Sequence, residues 1–175
     1  MSVRIDHNGL SERIGSPSKR RFFRDEEGAA LVEFAIALPM MLLIFGFIVE
    51  GSRLMLSFQS AISGVRDATR FLSRVVPSDI CVSGGNLAGY SAQLVTIVGQ
   101  SVGGSSVFPS FVSVNSVTPS LVCVVGTYRM NPAPVAQVTA NVTVNFPFSG
   151  VFSFFGGGLP AITTDVTDSS RVFGI

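Results

Sequence analysis

From Ala29 to Val49 the chain is apolar except at Glu33, Pro39 and Gly46. A helix over these twenty-one residues rises about 1.5 Å per residue and spans the roughly 30 Å hydrocarbon core of a bilayer. After Val49 the pattern becomes amphipathic. Leu54, Phe58, Ala61, Ile62, Val65, Ala68, Leu72 and Val75 recur at steps of three and four, while Arg66, Asp67, Arg70 and Arg74 mostly fall between them. Pro77 ends the stripe, because the residue ahead of a proline avoids the α region. The pattern therefore predicts one helix from about Ala29 to Val76, bent near Pro39 and loosely packed near Gly46. An ordinary anchor followed by a separate juxtamembrane helix is the alternative, and it differs mainly at Glu50-Gly51-Ser52.

Beyond Pro77, Leu87, Tyr90, Leu94, Ile97 and Val98 keep helical spacing between Gly84-Gly85 and Gly103-Gly104, so a second helix is expected over Asn86 to Val102. The period then drops to two. Strands are expected over Phe111 to Val114, Leu121 to Val125, Val138 to Phe146 and Ile162 to Val166. Asn131-Pro132-Ala133-Pro134 reads as one intervening turn, and Gly156-Gly157-Gly158 with Pro160 as another. Phe146, Phe148, Phe152, Phe154 and Phe155 read as core or as an exposed patch for a partner, core being the default for phenylalanine. The fold class is α+β: a single-pass membrane protein whose long N-terminal helix carries a small domain made of a second helix and an antiparallel sheet.

Composition narrows the function. At 175 residues the chain suits one membrane segment and one modest domain, and with 13% charged residues and a net charge of +1 it is too weakly charged for nucleic-acid binding. Residues 1–28 hold six Lys/Arg and five Asp/Glu, and residues 29–175 hold six of each. The basic cluster Lys19, Arg20, Arg21 and Arg24 thus precedes the anchor, which places the N-terminus in the cytoplasm and the rest outside it. Residues 1 to 27 read as a solvated leader, with Ser16-Pro17-Ser18 as a loop and His7 without a special role. A secretory signal puts its small-residue cleavage site after the apolar core, whereas here the small residue, Gly28, comes before it. On hydropathy alone, an uncleaved signal anchor fits equally well.

Gly28 followed by Ala29-Ala30-Leu31-Val32-Glu33-Phe34 resembles the processing site of type IV prepilins, in which a prepilin peptidase cuts after glycine and glutamate is fifth in the mature chain. The longer string from Arg24 to Pro39 resembles the TadE-like pseudopilins, of TadE or TadF type, that serve tight-adherence (Flp) pili. Phe34 departs from the tyrosine typical of major Flp pilins, which favours a pseudopilin over the main filament subunit. The resemblance implies a cut between Gly28 and Ala29, giving a leader (1–28), a long helix (29–76) and a periplasmic domain (77–175) anchored in the inner membrane. The implied partners are the prepilin peptidase, other Tad pseudopilins and the Flp pilin, the inner-membrane assembly platform and membrane lipid.

A carboxylate deep in lipid costs about 2.5 to 3.5 kcal/mol on insertion scales, so Glu33 asks for a partner. Cleavage would place a new amino group on Ala29, and in related pilins this acid is thought to neutralise the amino terminus of a neighbour. Such a pairing strengthens at low dielectric and penalises subunits out of register. The plain alternative is an acid snorkelling to the interface. Cys81 and Cys123 both follow the anchor, and an even count in an oxidising compartment reads as a disulfide, the alternative being two buried thiols. Asn141-Val142-Thr143 fits a glycosylation string but falls in an expected strand.

Chemistry is sparse beyond the leader. After residue 28 there is no His and no Lys, and Asp79, Asp165 and Asp168 lack acid–base or metal-ligand spacing. No catalytic residue, metal site or cofactor is expected. Two function classes remain: a pseudopilin in pilus biogenesis, and an uncleaved membrane-anchored periplasmic binding or scaffold module. The Gly28 to Phe34 string separates them, since a mere anchor needs neither the acid nor the glycine.

Overall fold

Helix α1 (Glu26–Val75) is fifty residues long and runs through Pro39 and through Glu50-Gly51-Ser52 without interruption. The structure is a computed structural model and describes residues 26–154, 156–157 and 161–174. The basic cluster Lys19 to Arg24, His7, Ser16-Pro17-Ser18, Phe155, Gly158 and Pro160 lie outside the described residues. The chain forms two compact units, Met1–Met41 and Leu42–Ile175. In the first, every described side chain from Gly28 onward is exposed. That is the surface of an element whose apolar face has no partner among the described residues of its own unit.

The second unit holds the rest of α1 and the α+β domain. Ala61, Val65, Ala68 and Leu72 are fully buried at the expected steps of three and four, with Val76 buried in place of the expected, half-buried Val75, and they form one cluster with the sheet. Fully burying a side chain the size of Leu72 stabilises by about 1.5 to 3 kcal/mol. Ile62, expected on this stripe, is 40% exposed. Thr69 is buried inside the stripe, and its hydroxyl donates to the Val65 carbonyl at 2.7 Å, so no polar group is left bare.

After Pro77 comes a short helix, α2 (Ile80–Ser83), which the spacing did not announce. The helix expected over Asn86 to Val102 is a single 3-10 turn (Ala88–Tyr90) leading into α3 (Ser91–Gly99). Asn86 Oδ1 accepts from the Ala88 amide at 3.0 Å and starts the turn. The helix stops early because Gln100 is extended and pairs with Ser106 around the Gly103-Gly104 turn, where Gly104 has φ +79°. The buried face is the expected one: Leu87, Leu94 and Val98 are in the core, and Tyr90 meets Phe71 of α1 edge-on at 6.4 Å.

Three antiparallel strands follow, β1 (Val112–Val124), β2 (Ala133–Val144) and β3 (Ile162–Arg171), in the order β1-β2-β3. The two short strands expected before residue 126 are therefore one. A β-bulge between Val114 and Ser116 inserts an extra residue, so the inward positions change from Val112 and Val114 to Val117 and Leu121. Pro119 is tolerated because β1 is an edge strand. Ala133 and Pro134, read as turn residues, are buried and begin β2.

On β2, Ala136, Val138, Ala140, Val142 and Val144 point into the core. The opposite face carries a polar ladder. Asn141 donates to Asp165 at 2.6 Å, Asn115 donates to Asn141 at 2.7 Å, and the Thr139–Thr167 and Thr143–Thr163 hydroxyls pair across strands at 2.9 and 2.7 Å. Between β2 and β3 lies a short helix, α4 (Ser149–Phe154). The phenylalanines there divide: Phe146 is buried, Phe152 half-buried and Phe148 40% exposed.

Candidate assembly site

The opening turns of α1 hold Gly28, Ala29, Glu33 and Phe34, all exposed. Gly28 is helical with no positive φ, and a methyl group added to it would meet nothing within 4 Å. Among the described residues nothing gives a glycine a steric use at this position. On a helix, residues three and four apart share a face, so Ala29, Ala30 and Ala37 stand around Glu33. Small side chains let another helix approach the carboxylate closely. Among the described residues the only ion pair is Arg70–Asp67 at 3.9 Å, so Glu33 has no charged partner among them.

The end of the apolar run is built differently. Glu50 is 3% exposed, and its Oε1 accepts from the backbone N–H of Phe148 at 2.7 Å, a bond across 98 residues of sequence. One turn further on, the Arg53 guanidinium lies 5.4 Å from the Phe148 ring centroid and 5.6 Å from that of Phe111. This junction ties α1, the start of β1 and the segment after β2 together where the chain turns polar. Sequence reasoning noted Glu50 only as a possible helix break. No spacing signal links it to Phe148, although a lone acid closing an apolar run is itself a signal for a buried hydrogen bond.

Cys81, at the second position of α2, and Cys123, near the end of β1, are joined by a disulfide with their Cα atoms 5.8 Å apart. Gly28, Ala29, Glu33 and Phe34 thus lie in the first unit and the cystine in the second. Among the described residues no three His, Cys, Asp or Glu side chains gather as metal ligands.

A glycine with open space around it among the described residues stands in the first turn of an exposed apolar helix, and an acid set among alanines follows it by five residues. Residues 28–70 match the TadE-like protein family. The TadE-like match begins on Gly28 and stops at Arg70, within α1, so it covers the membrane segment and most of the amphipathic half and none of the sheet. It bears out the resemblance read from the residues and supports, in broad terms, a role associated with Tad pili. The long apolar helix fits a membrane-anchored protein. No curated protein and no solved structure matches the chain.

Proposed function

We propose that this chain is a minor pilin or pseudopilin of a Tad (Flp) pilus system, cut between Gly28 and Ala29 by a prepilin peptidase, with Glu33 setting subunit register. Residues 1–28 are the cytoplasmic leader, 29–76 the helix that crosses the inner membrane and continues beyond it, and 77–175 the periplasmic domain. One observation carries the reading: Gly28 has open space around it, although glycine costs about 1 kcal/mol against alanine inside a helix. Open space is shared by Gly51, so what singles out Gly28 is its place five residues ahead of Glu33 at the start of the apolar run, where a peptidase that cuts after glycine would need it.

The alanine-lined face supports the register role. A neighbouring helix that packs on Ala29, Ala30 and Ala37 brings the new amino group of its own Ala29 to the Glu33 carboxylate. The disulfide supports an oxidising compartment for the domain. Beyond the membrane, Met55 and Leu56 remain 60% and 63% exposed on α1, which suits packing against other pilin helices.

The test is Glu33→Gln at normal protein level, read by the mass of the mature chain, by crosslinking to other Tad components and by piliation. Membrane insertion and cleavage are expected to persist, because removing a charge makes the helix more compatible with lipid. Crosslinks and pili are expected to be lost. Wild-type piliation by a cleaved, inserted mutant would return the chain to an anchored scaffold with a snorkelling acid.

A further inference from the structure

We infer that Phe148 and α4 dip into the lipid leaflet beside α1, so that the protein meets the membrane at a second point on the far side of its transmembrane segment. This rests on the reading of α1 as membrane-spanning. An apolar cleft of about 310 Å³ lies between Leu42, Phe45, Gly46 and Val49 of α1 and Phe148 and Phe152. A Cβ at Gly46 would stand 3.8 Å from the Phe152 ring, so that ring lies against a helix surface belonging to the apolar run. Glu50 marks the end of the run and holds the Phe148 amide. Gly46 is four residues nearer the membrane centre, about 6 Å along the axis, which is within the 5–10 Å depth of interfacial elements.

Two independent observations fit lipid as the occupant. From Phe146 to Thr164 there are nineteen residues with five phenylalanines and no charged side chain. Several backbone amides of this segment have partners inside the protein: Phe148 N–H on Glu50, Ser149 N–H on the Phe146 carbonyl, Phe152 N–H on that of Phe148, and Gly157 N–H on that of Phe152. An unpaired amide costs several kcal/mol in a bilayer, so this bonding permits the dip.

The sequence contains no tryptophan, so each introduced tryptophan is a lone fluorophore. Full-length Phe152→Trp, Phe45→Trp and Phe173→Trp are reconstituted in phosphatidylcholine vesicles with and without bromine at mid-chain positions. Phe45 is 65% exposed on the apolar run, and Phe173 is 73% exposed, with its amide on Ser73 at the polar end of α1. Bromolipid is expected to quench Phe152→Trp at least half as strongly as Phe45→Trp and to leave Phe173→Trp unaffected. Strong quenching of Phe45→Trp with none of Phe152→Trp overturns the dip alone, and quenching of neither overturns the membrane reading as well. The unaltered chain supplies a second measurement. Photoreactive acyl chains in the same vesicles are expected to label both 29–49 and 146–154, and adducts confined to 29–49 overturn the inference.

Discussion

Glycine inside a helix raises the backbone entropy lost on folding and contributes no packing, so each helical glycine of α1 calls for a separate reason. At Gly64 the reason is steric: an added Cβ would stand 2.8 Å from the Val98 carbonyl oxygen of α3. At Gly28 the space is empty. Gly28→Ala is therefore expected to leave the helix intact, or to stabilise it by up to about 1 kcal/mol, while cutting processing at least tenfold. The mass of the chain recovered from cells with an active peptidase reads both outcomes, and mature-length Gly28→Ala at wild-type yield would remove the case for cleavage at this site. Glu33 stood out in the sequence as a lone acid within an apolar run. Glu50 did not, because its partner is a backbone amide 98 residues away.

Elements were legible where one face alone is buried. The core stripe of α1 and the inward face of β2 follow from periods of 3.6 and 2. The long first strand was not, because the bulge at Asn115 reverses the phase and makes one strand read as two short ones. β3 continues beyond Val166 through Thr167, Asp168, Ser169, Ser170 and Arg171, a polar series with no hydrophobic alternation to find, since it is held by its pairing with β2. Helix packing gives a prediction at this scale. Gly64→Ala pushes a methyl group into the α3 backbone and is expected to cost about 1 to 3 kcal/mol, as overpacking does. Urea unfolding of the full chain in detergent measures it, and a midpoint equal to that of the wild type would mean that α3 gives way easily. Gly51, with nothing within 4 Å, is the matched control, expected to accept alanine without loss.

For the molecule as a whole, the cystine closes a loop between residues 42 apart, and on the chain-entropy model that stabilises the fold by about 4 kcal/mol. Cys81→Ser, or reduction of the wild type, is expected to lower the unfolding midpoint and the steady-state amount of protein. If both thiols of non-reduced, denatured native protein label readily, the bond is absent and this expectation fails. The sheet completes the picture through its two outer strands. A three-stranded sheet leaves two rims of unpaired backbone groups, the usual route by which β proteins join edge to edge into aggregates or fibres. Here one rim carries Pro119 and the bulge, and the other carries Asp165, Asp168 and Arg171. Both are poor templates for strand addition. The sheet thus discourages the cross-β route to polymerisation at both rims, and under the role proposed above it would leave association to the helices.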